Sequence, residues 1–191
     1  MKIQILLFIL SIFFISDESL GQSDSLSKFT LLEFGFPPGN DYLNARFTIA
    51  KNWKIDFVPV GECIVSEELS DSVKTSNEIT NQRLSAIYGD NWRKKFEKEV
   101  QKELKYQKVA RKLIDAQSYI QEKDSLLAQL GNGLHYLLTR EENKGEYSAI
   151  IFGWGNWDGK SELVVYFDLM VDTKKSAVKM KNDEIRLLEI L

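Results

Sequence analysis

The stretch WRKKFEKEVQKELKYQKVARKLI, residues 92–114, decides how this chain folds. Trp92, Phe96, Val100 and Leu104 recur at every fourth position, and Tyr106, Ala110, Leu113 and Ile114 extend them into one broad stripe. Side chains four apart stack on one face of a helix, so the stripe predicts a long amphipathic helix with that face on the core. Charge fills the rest: residues 93–112 hold nine Lys or Arg and three Glu, which is +6 in a chain whose total is -3. Such a face is ordinarily solvated and supported by pairs such as Lys95 with Glu99 and Glu99 with Lys102. The sharper reading is a surface for a polyanion, held by release of counterions.

Upstream, residues 29–36 (FTLLEFGF) form a short apolar run closed by Pro37-Pro38-Gly39, as a buried strand ending in a turn would be. Asn40 or Asp41 is placed to cap a helix, with Leu43, Phe47 and Ala50 on one face and Tyr42, Ile49 and Trp53 alongside. Residues 54–65 (KIDFVPVGECIV) read as a second strand, with Pro59 marking an edge or a bulge. The opening is therefore β-α-β. A helix then starts at Ser66-Glu67-Glu68 or Ser70-Asp71, carries Leu69, Val73, Ile79, Leu84 and Ile87, and stops at Gly89, after which Asp90 or Asn91 starts the long one.

Downstream, residues 117–130 suit a further helix closed by Gly131. Residues 147–152 (YSAIIF) and 163–171 (LVVYFDLMV) are rich in β-branched and aromatic residues, and the Gly-rich segment 153–159 joins them as a hairpin. Residues 134–139 and 177–180 are flanking strands, and 186–191 is one more strand or a terminal helix. The order predicts an α+β fold, with an N-terminal β-α-β, central long amphipathic helices and a C-terminal antiparallel β-meander, in one domain over residues 29–191.

Composition excludes several chemistries. Hydrophobic residues at 43% and aromatics at 12% are enough for a core, and a charge of -3 is far from that of a DNA-coating protein. One Cys and one His leave no Cys/His zinc cluster and no disulfide within the chain. Cys63, among apolar neighbours, reads as a buried structural thiol, and His135 is the only imidazole that could serve it as a base. No GxSxG, HExxH, GxxxxGK[ST] or post-strand GxGxxG occurs, and Glu67-Glu68 and Glu141-Glu142 are adjacent pairs on charged segments. No catalytic residue, cofactor or metal is predicted.

The most unusual local sequence is Gly153-Trp154-Gly155-Asn156-Trp157-Asp158-Gly159. Trp154 and Trp157 offer stacking surfaces for a sugar ring or another planar ligand, with Asn156 and Asp158 as directional hydrogen-bonding groups. The same residues suit a structural hairpin connection, and their spacing matches no EF-hand loop. If both Trp lie at strand ends, three residues apart, they fall on opposite faces and at least one is exposed.

The segment Tyr88-Gly89-Asp90-Asn91-Trp92-Arg93-Lys94-Lys95-Phe96-Glu97-Lys98-Glu99-Val100 resembles the signature of the FEKKY domain, a family of uncharacterised secreted or envelope-associated bacterial proteins. Ile49-Ala50-Lys51-Asn52-Trp53 and Val60-Gly61-Glu62-Cys63-Ile64-Val65 are similar to that family's helix-then-strand segment, so the resemblance spans residues 45–105. Glu99-Val100 stand in place of the Lys-Tyr of the name-giving motif, and Glu62 separates Gly61 from Cys63. The resemblance implies an exported protein and implies neither an activity nor catalytic residues.

The N-terminus points the same way. Lys2 precedes residues 3–15 (IQILLFILSIFFI), 11 of whose 13 residues are apolar, and the run ends at Asp17 and Glu18, short of the about 20 residues a membrane span needs. Ser19 and Gly21 then suit a cut before Gln22, so residues 1–21 read as a signal peptide, with a retained anchor as the alternative, and 22–28 as a flexible lead-in. The expectation is a secreted or periplasmic, non-catalytic binding module for an envelope or extracellular protein or glycan, without nucleic acid and without a membrane span in the mature chain. The alternative is a small secreted hydrolase whose acidic residues converge only in the fold. Mass spectrometry of the protein from its native host should find a chain starting near Gln22; an intact Met1 form in the cytoplasm would contradict export.

Overall fold

The computed structural model describes residues 28–35, 39–61 and 65–188. The leader, residues 22–27, Pro37-Pro38 and Cys63 lie outside the described residues, so the readings made of them stay expectations.

Strands β1 (Phe29–Phe34) and β2 (Ile55–Gly61) pair in parallel on either side of helix α1 (Asn40–Trp53), the predicted β-α-β unit. Glu33 faces Pro59 and Phe34 faces Gly61, so Val60 bulges out beside the residue that lacks an N–H. The free edge of β1 is closed by a side chain: Leu32 N–H donates to Asn77 Oδ1 (2.9 Å) and Asn77 Nδ2 donates to the Leu32 carbonyl (2.8 Å). One amide thus stands in for a third strand.

Helix α1 departs from expectation twice. Its N-cap is Gly39, which has no side chain to cap with, and the Gly39 carbonyl accepts from the amides of Tyr42 and Leu43. Asn40 and Asp41 fall inside the first turn, where the Asp41 carboxylate meets the positive end of the helix dipole. Its buried side is formed by Asn44, Ala45, Arg46, Ile49, Ala50 and Trp53, and Phe47 is 54% exposed. The helix is packed by two later elements as well as by its own sheet, which rotates the buried sector toward Ala45 and Ile49.

Helix α2 (Glu67–Tyr88) starts on Ser66, whose Oγ accepts from Leu69 N–H, and ends at Gly89 with φ +86°. It lies on β1 with one narrow face, so only Val73, Thr80 and Leu84 are buried, and Leu69, Ile79 and Ile87 are exposed rather than core. Helix α3 (Trp92–Asp115) buries Trp92, Phe96, Val100, Ala110 and Ile114 as predicted, but Tyr106 is at its exposed margin. Glu103 and Gln107 are buried in the same line. Helix α4 (Ser118–Ala128) closes at Gly131, φ +74°.

Strands β3 (His135–Arg140), β4 (Glu146–Trp157), β5 (Lys160–Asp172) and β6 (Ala177–Asn182) form an antiparallel meander, with β7 (Arg186–Leu187) pairing with β5. The chain is thus α+β, and Arg186–Leu187 is strand, not helix. The hairpin between β4 and β5 is tighter than the predicted seven-residue connection. Only Asp158 and Gly159 turn, both at positive φ (+49° and +80°), the type I′ geometry that an Asp-Gly pair favours. Gly153 and Gly155 belong to β4. A Cβ on Gly153 would stand 2.8 Å from the Gly133 carbonyl, and one on Gly155 would run into the Tyr166 hydroxyl, so Gly153 clears space for the backbone before β3 and Gly155 for Tyr166, which bulges from β5.

Two apolar clusters result. Phe29, Leu31, Ala45, Ile49, Trp53, Leu84, Trp92, Phe96 and Val100 form one; Ala110, Ile114 and the inward side chains of β3, β4 and β5 form the other.

Candidate functional site

The chain's polar and aromatic side chains converge where β1 and β2 end beneath α1 and α3. A cleft of about 480 Å³ opens there. Its floor is Phe57 from β2 with Trp92 and Phe96 from α3, and Phe57 and Phe96 have ring centroids 5.6 Å apart. Arg46 reaches in from α1. Its side chain is only 10% exposed, its guanidinium lies 3.5 Å above the Phe57 ring, and it is paired with Glu33 from β1. That geometry satisfies a buried cation from two sides, one carboxylate and one π face.

Opposite stands Tyr42, whose hydroxyl donates to Glu97 Oε2 at 2.7 Å. Burial pushes its phenol up to about 12, and the Glu97 carboxylate adds to the rise because a phenolate there would face a second negative charge. Glu97 Oε1 accepts from Gln101 (2.8 Å). Arg93 lies 4.8 Å over Trp92 and donates to Asn81 Oδ1 (2.7 Å). The cleft therefore carries two guanidinium groups, two carboxylates and four aromatic rings, and both carboxylates are held as acceptors for fixed donors. Among the described residues, no group of three or more His, Cys, Asp or Glu is placed to hold a metal ion.

The four residues singled out on the Gly-rich segment do not form one site. Trp154 is 44% exposed on the sheet face away from the helices, whereas Trp157 is half-buried and packed on the second cluster, so the two fall on opposite faces. Asn156 Oδ1 accepts from Gly159 N–H (2.9 Å) and locks the turn. Asp158 occupies the turn itself. His135 sits beside Phe152, ring centroids 5.5 Å apart.

Sequence reasoning passed over Glu33, Arg46, Phe57 and Glu97 as site residues. Arg46 carried a signal: it falls between Ala45 and Ile49 on the buried side of the helix, where an unpaired cation would be costly.

Compared with family models, with curated proteins and with solved structures, the chain matches none.

The Tyr42 shift has a testable consequence. A phenol raised from about 10 in the unfolded chain to about 12 keeps its proton in the folded state while the unfolded state loses it. Its contribution to stability is thus complete below pH 10 and declines as the pH rises through 12. In a spectrophotometric titration, subtracting Tyr42→Phe from wild type should leave one phenol with a midpoint near 12. A difference curve centred near 10 would show that Tyr42 does not face Glu97 in the folded protein.

Proposed function

We propose that this chain is an exported, non-catalytic binding module of the FEKKY type, and that the cleft is its ligand site. The observation that carries the reading is Arg46, buried, held 3.5 Å over the Phe57 ring and paired with Glu33. A cation held this way is a preorganised recognition group, and it costs stability unless its partners are kept in place. Trp92, Arg93, Phe96 and Glu97, four of the eight residues lining the cleft, come from the segment that resembles the family signature. The volume suits a small ligand with a flat apolar face and polar groups of both signs, such as a short envelope peptide or glycan fragment.

The hydrolase alternative requires acidic residues that converge in the fold, and Glu33 and Glu97 do line one cleft. Glu33 is tied to Arg46, however, and Glu97 to Tyr42 and Gln101, which arranges them to hold a ligand rather than to exchange protons with it. Trp154, with Asn156 beside it, is the other contact surface available to a module of this kind.

The test is calorimetric profiling of the purified protein against envelope glycans and peptides. A ligand of the cleft should bind about tenfold more weakly to Arg93→Gln, which removes an exposed cation, with little change in melting temperature. Binding lost only in Trp154→Phe would move the contact surface to the hairpin. Turnover of a glycoside or peptide that disappears in Glu97→Gln would establish the hydrolase instead.

A further inference from the structure

We infer that a second groove, on the opposite flank of α3, binds an acidic oligosaccharide whose carboxylates repeat from ring to ring. Trp53 of α1, Tyr88 of α2, and Lys95, Lys98, Glu99 and Lys102 of α3 enclose about 430 Å³ there. The helical positions of Lys95, Lys98 and Lys102 place them on one side of the buried stripe, with Arg93 and Glu97 of the first cleft on the other. This inference concerns a different surface and does not rest on the ligand proposed for the cleft.

Three features identify the ligand. First, the charge is local: with +6 on residues 93–112 and -3 on the whole chain, the rest of the protein carries -9. An anion is therefore drawn to this helix more than to the chain as a whole. Second, the cations are available. Lys98 and Lys102 are exposed, and neither takes part in an ion pair among the described residues. The one carboxylate in the groove, Glu99, has its Oε2 engaged by Trp53 Nε1 at 2.9 Å, and Lys95 Nζ donates to the Tyr88 carbonyl at 2.7 Å. The expected helix pairs of Glu99 are thus replaced by a bond to the floor, leaving two lysines facing solvent. Third, the spacing fits a sugar chain. Residues three and four apart on a helix have Cβ atoms about 5–6 Å apart, comparable to the length of one sugar ring.

The floor separates this ligand from a nucleic acid strand. Base stacking needs an open ring face. Trp53 is only 8% exposed and is covered by Tyr88, ring centroids 4.5 Å apart, with the Tyr88 hydroxyl bonded to the Trp53 carbonyl. Only part of Tyr88 remains, enough for the C–H face of a sugar. A lipid headgroup layer is equally unsuited, because the lysines border a concavity rather than a flat surface.

The probe is an oligogalacturonate, with its methyl ester as the neutral control, titrated into the purified full chain. The acid form should bind at low salt and the ester should not, with affinity falling as salt is added. Lys98→Gln together with Lys102→Gln should weaken binding at least about fivefold. Lys108→Gln with Lys112→Gln, the same loss of charge outside the groove, should weaken it by less than about twofold. All four positions are exposed, so folding is not at issue. Equal weakening by both pairs, equal binding of the ester, no binding of the acid, or preference for a single-stranded oligonucleotide of matched charge would each overturn the inference.

Discussion

Helix α3 buries a single face against two different units, the β-α-β unit, chiefly through α1, and the meander. With 24 residues it is about 36 Å long, and its two halves pack into different apolar clusters. Trp92, Phe96 and Val100 belong to the β-α-β cluster, and Ala110 and Ile114 to the meander cluster. Between them the buried line is polar. Glu103, fully buried, is paired with Arg140 of β3, and Gln107 Nε2 donates to Thr48 of α1 and to Glu103, both at 3.2 Å. Alongside, Asn44 of α1 donates to the Tyr136 carbonyl of β3 at 2.7 Å. This seam registers α1, α3 and β3 against one another. A buried carboxylate without its cation would cost several kcal/mol, so the arrangement enforces one docking of the two halves more than it adds net stability. Among the described residues, the buried Gln107 Oε1 has no hydrogen-bond donor.

Once α3 is fixed in this way, its two flanks are fixed too. One faces α1 and the ends of β1 and β2, and there Arg46, Tyr42 and Glu97 meet aromatic rings in the cleft. The other faces the end of α1 and the last turn of α2, and there the lysines stand over Trp53 and Tyr88. Phe96 contributes to both supports, packing edge-on against Trp53 and tilted against Phe57. The apolar stripe that builds the core thus also sets the spacing of the charged groups on either side of it.

The sequence made the elements legible where the physics is local. Ser66, Gly89 and Gly131 start or stop helices by capping and positive φ, and β4 alternates buried and less buried residues along its length. It misled where burial depends on how many neighbours a helix acquires. Phe47, Leu69, Ile79, Ile87 and Tyr106 have the right spacing for a core and lack a partner to cover them. It was silent where a buried polar group is satisfied from afar: Arg140 is 37 residues from Glu103, and Tyr136 is 92 from Asn44. The Gly-rich segment shows both sides. Asp158-Gly159 is a turn pair that the sequence shows on its own, whereas Gly153 is required by the Gly133 carbonyl and Gly155 by a tyrosine of the neighbouring strand.

Helix α3 is one wall shared by two clusters and pinned at the seam. Native-state hydrogen exchange along residues 96–114 tests this directly. The amides on both sides of Glu103 should open with one common free energy, equal to that of global unfolding, because neither cluster can lose the helix without the other. Two distinct opening energies, one for the turns around Phe96 and Val100 and another for those around Ala110 and Ile114, would show that the halves unfold independently and that the seam does not hold them together.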